Sequence, residues 1–210
     1  MLDIHTLILG PVATNAYLIA DTDTGEAVVL DPAWDGQVIV AEAKSCGWWI
    51  KQIWVTHAHF DHFGGAGAVL AGCTPSPSIA LHPADLPLWR MKGGAEWFGI
   101  PMDIPREPDI LLKAAQILKV GQYEFEVRHT PGHSPGHVIF YCASEGLVFC
   151  GDTIFAGGIG RTDLPGGNEE ILLESIRLKI LTLPDDTRLL CGHESETRVG
   201  LERKTNLFLR

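Results

Sequence analysis

The chain has 210 residues, 46% of them hydrophobic, enough to bury one core, so one domain over residues 1–210 is expected. A formal net charge of -10 argues against duplex DNA and anionic membranes, which both require a basic surface. No apolar run approaches the roughly 18 residues of a membrane span. The start MLDIHTLILGPV lacks the basic region of a signal peptide, and five scattered cysteines never pair as C-x-x-C, so a reducing cytoplasm is expected.

The first fifty residues read as strands and then a helix. Leu2–Leu9, Ala16–Ala20 and Ala27–Leu30 are apolar or alternating runs, separated by GPVATN and DTDTGE, which are turn chemistry. Gln37–Ser45 predicts a helix ended by Gly47, and Ile50–Val55 a buried strand. Gly64–Ala71 predicts a small-residue helix, and Ser78–Leu81 another strand. Residues 83–110, rich in Pro, Gly and Trp, have no period. They read as an irregular excursion, either a lid or a loop that packs Trp89 and Trp97. Tyr123–Arg128, His137–Cys142, Gly146–Cys150 and a last strand Thr187–Cys191 repeat the style of the first half. Between them Asn168–Leu181 predicts a helix with Ile171, Leu172, Ser175, Leu178 and Ile180 near helical spacing. Two similar halves, packed sheet to sheet with helices outside, are expected.

Four ligand clusters fall at predicted strand ends. They are His57-Ala-His59-Phe-Asp61-His62, Thr130-Pro-Gly-His133, Gly151-Asp152 and Gly192-His193. All but the first carry a glycine beside the ligand, which lets the backbone turn sharply and leaves room for an ion. Three imidazoles and a carboxylate within six residues would be costly to bury without a cation. Seven nitrogen or oxygen side chains exceed the four or so that one zinc takes. They suit two divalent ions about 3.5–4 Å apart sharing a carboxylate, and Asp152 is the natural bridge. Imidazole and carboxylate without thiolate favour zinc, iron or manganese. His5, His82 and His129 read as ordinary hydrogen-bonded residues, and His137 as structural support for the cluster.

THAHFDH, TPGHSPGH, GDTIFAGGIGRTD and CGHE, in that order, resemble the metallo-β-lactamase superfamily, whose signature is H-x-H-x-D-H. Within it the chain most resembles the glyoxalase II (hydroxyacylglutathione hydrolase) branch, and its small bacterial members in particular. The resemblance implies a four-layer αββα sandwich of the α/β class. It places His57, His59 and His133 on a first ion and Asp61, His62 and His193 on a second, with Asp152 between them. Zinc is expected first, iron or manganese otherwise. The larger enzymes of the branch hold glutathione with a basic residue nine positions after the bridging aspartate and a tyrosine two later. Here these positions are Arg161 and Asp163. The helical C-terminal extension of those enzymes has no counterpart before the last residues TNLFLR, so strict glutathione dependence is not expected.

The expected function is a metal-dependent hydrolase cleaving a small anionic thioester such as S-lactoylglutathione. A metal-bridging hydroxide attacks the carbonyl, with Asp61 and Asp152 as the catalytic carboxylates and Arg161 on a substrate carboxylate. No nucleic acid or membrane partner is expected, and the chain is a monomer or homodimer. The alternatives are a mononuclear-iron persulfide dioxygenase, which shares the H-x-H-x-D-H and GRTD-like stretches, and a lactone or other ester hydrolase.

Overall fold

Alternation along each strand divides its side chains between two cores. The computed structural model describes residues 1–210. A first six-stranded sheet contains, in spatial order, β1 (Leu2–Leu9), β2 (Thr14–Asp21), β3 (Glu26–Leu30), β4 (Trp49–Trp54), β5 (Ser78–Leu81) and β6 (Ile110–Leu111). The first three strands are antiparallel and the rest follow parallel to β3. Parallel neighbours need crossovers, and α1 (Gly36–Ser45), α2 (Phe60–Phe63), α3 (Ala66–Gly72) and α4 (Leu86–Arg90) lie along them. The second half adds β7 (Ile117–Val120), β8 (Tyr123–His129), β9 (Val138–Cys142), β10 (Leu147–Gly151), a short hairpin of β11 (Ile154–Phe155) and β12 (Gly158–Ile159), α5 (Glu169–Lys179), β13 (Arg188–Cys191), β14 (Thr197–Arg198) and α6 (Val199–Thr205). Its sheet has the order β14-β13-β10-β9-β8-β7.

Tyr17 and Ile19 of β2 and Val28 and Leu30 of β3 face the second sheet, where they meet Phe125, Phe140 and Phe149. Ala16, Leu18, Ala27 and Val29, one residue out of step, face Ile39, Val40 and Val69 on the helices. In the second sheet Ile139, Val148 and Leu189 face Leu172 and Ile176 of α5. Three apolar seams thus hold four layers, helix, sheet, sheet and helix, which is the expected αββα sandwich. Trp54 stacks on Phe140 at 5.2 Å and meets Phe125 edge-on at 5.3 Å in the middle seam. No helix is long and apolar enough to cross a membrane.

Two bulges matter for the site. Ala27 pairs with Ile50 but Val28 with Gln52, so Lys51 is extra. Ile50 and Ile53 therefore face the same helical seam, a spacing strict alternation forbids. In β10, Phe149 pairs with Leu190 and Gly151 with Cys191, so Cys150 is extra. A bulge bends a strand and re-aims the residues beyond it, and the residue just beyond β10 is Asp152.

The expected elements recur with shifted ends, and some differ. The helix expected over Gly64–Ala71 is α3, shifted to Ala66–Gly72, and a single helical turn that was not expected, α2, precedes it. The helix expected over Asn168–Leu181 is α5, with Asn168 as its N-cap, but its buried stripe is Leu172, Ser175, Ile176 and Ile180. Ile171 and Leu178 are exposed, because the apolar face is set by the i, i+4, i+8 series from Leu172. Residues 83–110 hold a 3-10 turn at Pro83–Asp85, then α4, then a second 3-10 stretch at Lys92–Phe98 kinked at Gly93 and Gly94, and β6. Trp89 anchors this excursion. It is fully buried, stacks on Phe63 at 4.1 Å, and donates its indole N–H to Arg106 O at 3.1 Å. Trp97 does not pack in this way and is 42% exposed.

Candidate metal centre

The seven candidate ligands sit where strands of both sheets run out. After β4, His57 follows Thr56, His59 caps α2, and Asp61 and His62 lie on its single turn. His133 is in the turn from β8 to β9, Asp152 follows β10, and His193 follows β13. They meet in three overlapping groups, His57–His59–His133, His57–His62–Asp152 and Asp61–His62–His193, each with its ligand atoms within 4.8 Å of one another. Asp152 is central. Its Oδ1 is 3.3 Å from His62 Nε2, and its Oδ2 is 3.5 Å from His193 Nε2 and 3.6 Å from His133 Nε2. Asp61 Oδ2 lies 3.3 Å from His193 Nε2 and 3.4 Å from His62 Nε2.

Outer hydrogen bonds fix which imidazole nitrogen faces inward. Thr56 Oγ1 donates to Asp31 Oδ2 at 2.7 Å, so it accepts from His57 Nδ1 at 3.0 Å. His62 Nδ1 donates to Asp31 Oδ2 at 2.9 Å, and His133 Nδ1 to the carbonyl of Arg161 at 2.7 Å. All three therefore turn Nε2 into the cluster, the arrangement typical of metal-ligating histidine. His57 Nε2 and His133 Nε2 are then two acceptors only 3.1 Å apart. Three buried polar atoms, His59 Nε2, His62 Nε2 and Asp152 Oδ1, have no hydrogen-bond partner within the protein. Converging lone pairs and buried acceptors of this kind fit cations, and the nitrogen and oxygen donor set fits a borderline or hard divalent metal.

The supporting residues were mostly invisible in the sequence. Asp31, fully buried, also accepts the Thr56 N–H at 2.7 Å. Asp85 ties two ligand loops together, accepting from Ala58 N at 2.9 Å and from Ser134 Oγ at 2.7 Å. His137 offers neither ring nitrogen to the cluster. Its Nε2 accepts the backbone N–H of Asp152 at 3.0 Å, and its Nδ1 faces Thr130 Oγ1 at 3.0 Å. That is the supporting position expected for it. Thr14 Oγ1 donates to Asp61 Oδ2 at 3.0 Å, and Asn15 and Tyr17 hold the His193 loop by bonds to the carbonyl of Cys191. At Gly192 a Cβ would strike Asp152 Oδ1 and come within 2.9 Å of His62 Cε1, so the expected room beside the ligand is used.

Charge is divided across the cluster. Burial holds His57 and His133 below the usual imidazole range and takes His59, crowded also by His133, down to about 3. Burial opposes charge on His193 too, but Asp152 and Asp61 outweigh it and push it up to about 10. The Asp61 carboxyl is held down to about 2: burial works against its charge, and His62 and His193 overcome it. One side is thus three neutral bases and the other a carboxylate–imidazole network.

The cluster opens onto a cavity of ≈ 240 Å³ lined by His59, Asp61, Asp152 and His193 together with Phe98 and Ile100 of the excursion. A wider recess of ≈ 730 Å³ adjoins it. Arg161 lines both. Its side chain is 53% exposed and its guanidinium grips Asp163 with two bonds of 2.7 Å, while its carbonyl orients His133.

A family profile described as metallo-beta-lactamase superfamily matches residues 9–193, from the end of β1 to His193. The hydroxyacylglutathione hydrolase GloC of Haemophilus influenzae is 35% identical over 203 residues, with 93% of this chain and 92% of that protein covered. The crystal structure of BLEG-1 B3 metallo-beta-lactamase superposes with a TM-score of 0.90 at 38% identity, with 99% of each chain covered. That of TTHA1623 in a di-iron-bound form gives 0.86 at 38% identity, with 98% of this chain and 100% of that one covered. With its sandwich, its cluster of strand-end ligands and this match along nearly its whole length, the chain belongs to the metallo-β-lactamase superfamily.

Proposed function

We propose that this metallo-hydrolase cleaves a small thioester such as S-lactoylglutathione with two divalent ions. The observation that carries the reading is the seven-residue cluster, with its inward-facing imidazole nitrogens, opening on a cavity. The similarity to a hydroxyacylglutathione hydrolase and to a di-iron-bound structure supports it. His57, His59 and His133 would hold one ion and Asp61, His62 and His193 the other, with zinc as the expected metal and iron or manganese as alternatives. Asp152 spans them, since its two oxygens face nitrogens of both groups. Bound ions of this kind lower the pKa of water toward ~7 and polarise a carbonyl. Asp61, fixed by Thr14, orients the attacking water, and no strong general acid is needed to expel a thiolate. Arg161 meets an anionic part of the substrate, which has to compete with Asp163 for the guanidinium.

The test is an assay with two equivalents of zinc, manganese or iron, in air and under argon. S-lactoylglutathione should be cleaved at a slow to moderate rate with a high KM, equally without oxygen, and not at all after chelation. Oxygen uptake with glutathione persulfide, at one iron per chain and without thioester cleavage, would overturn the reading in favour of a dioxygenase. Cleavage of lactones alone would make the protein an ester hydrolase.

A further inference from the structure

Two recesses meet over the cluster, and their chemistry differs. Val12, Asp152, Arg161 and His193 line both. The smaller continues beneath the excursion, where Phe60, Phe98, Ile100 and Leu164 wall it. The wider one mixes Asn15, Glu194 and Ser195 with Ile8, Ala13, Phe155 and Ile159. A thioester whose carbonyl lies over the cluster must send its acyl arm into one and its thiol arm into the other.

Arg161 is the single Lys or Arg on either recess, and Asp163 already holds it. Glu194 adds a negative charge to the wider one. A thiol arm with two carboxylates, such as glutathione, therefore finds no surplus cation there. Beyond the candidate ligands and Arg161, the smaller recess is lined by apolar side chains and Gly93 alone. Phe98 leans on Phe60 at 5.5 Å yet stays 50% exposed, and Val12 is 47% exposed. Large apolar side chains left open around one concavity gain by covering an apolar ligand. A lactoyl group, small and carrying a hydroxyl, leaves most of that wall uncovered.

We propose that the site selects its thioester by an apolar acyl group seated between Val12, Phe60, Phe98, Ile100 and Leu164, with the thiol arm loosely held in the wider recess. The inference rests on the thioester-hydrolase reading and adds which arm carries specificity. Water adds to the carbonyl carbon, the C–S bond breaks, and one carboxylic acid and one thiol leave.

The zinc-loaded enzyme is assayed with acetyl, butyryl, hexanoyl and lactoyl thioesters of glutathione, and with the hexanoyl thioester of the neutral thiol N-acetylcysteamine. A fully buried methylene is worth roughly fourfold, so with partial burial kcat/KM should rise at least ~10-fold from acetyl to hexanoyl. Hexanoyl should exceed lactoyl, and the two hexanoyl thioesters should agree within about threefold. Phe98→Ala, at a half-exposed position that folding tolerates, should remove most of the chain-length gain. Calorimetry should show S-hexylglutathione binding at least ~10-fold tighter than S-methylglutathione. A flat series, or a preference for lactoyl over hexanoyl, overturns the inference and leaves the hydrolase reading standing. Failure to cleave any thioester overturns both.

Discussion

Asp31 shows how a residue can govern the site while leaving no trace in the sequence. VVLDP reads as a strand ending in a turn, and Pro32 strengthens that reading. Yet the carboxylate takes three hydrogen bonds from residues 25 and 31 positions away, and through them it orients both His57 and His62. The H-x-H-x-D-H candidate ligands were legible because six residues hold four of them. Asp31 was not, because its partners are close only in the folded chain. Asp31→Asn removes one acceptor oxygen and forces Thr56 or His62 to lose its bond. Metal affinity or kcat/KM should fall about 10- to 100-fold, read by metal content after dialysis and by thioester assay. An unchanged metal content would show that Asp31 is only packing. Arg161 poses the reverse problem, since its charge was legible but its capture by Asp163 was not. Asp163→Asn should release the guanidinium and lower KM for a glutathione thioester with kcat little changed, whereas Arg161→Ala should raise it. If a neutral thioester responds equally to both changes, Arg161 has no electrostatic role.

At the level of elements, length and periodicity decided what could be read. β1, β2, β3 and α1 were legible because each carries at least four residues of one pattern. β6, β11, β12 and β14 have two residues each and are defined only by their partners. α6 is seven residues long and buries Val199, Gly200 and Glu202, a set with no apolar stripe. β7 alternates exposed and buried, but over four residues. The bulges in β4 and β10 break alternation where the site begins, so the facing of Ile53 and the aim of Asp152 depend on pairing that one strand cannot reveal. α5 is the contrasting case. The Asn168 side chain accepts the Ile171 N–H at 3.0 Å, and the Asn168 backbone N–H donates to Gly132 O at 2.7 Å, next to His133. The cap thus ties a helix start to a ligand loop. Asn168→Ala should cost about 1 kcal/mol, a drop in Tm of roughly 2–4 °C for a chain of this size. Thermal unfolding of the metal-loaded protein checks it. Asn168→Asp, which keeps an acceptor oxygen at a helix N-terminus, should restore the loss, and failure to do so would show that the side-chain cap does not carry the cost.

For the molecule as a whole, the cluster is a clasp between halves. His57, His59, Asp61 and His62 come from the chain that leaves β4 in the first sheet, and His133, Asp152 and His193 from three turns of the second. Elsewhere the two sheets are joined mainly by apolar packing in the middle seam, which is strong but non-directional. At the strand ends the seam gives way to buried imidazoles and carboxylates, which repay burial only when paired. Cations held jointly by both halves should therefore stabilise the sandwich as well as equip it for hydrolysis. A ligand bound only by the folded state at about 100 times its dissociation constant adds about 2.7 kcal/mol, or roughly 5–11 °C in Tm at this chain length. Chelation should lower Tm by that order, and Asp152→Ala, which removes the residue facing both groups, should lower metal content and Tm together and abolish hydrolysis. Hydrogen exchange should place the loss at residues 56–63, 130–137 and 191–194, leaving β2, β3 and β9 protected. A chelated protein with unchanged Tm and exchange would mean that the clasp is closed by the protein's own ion pairs, with the metals serving chemistry alone.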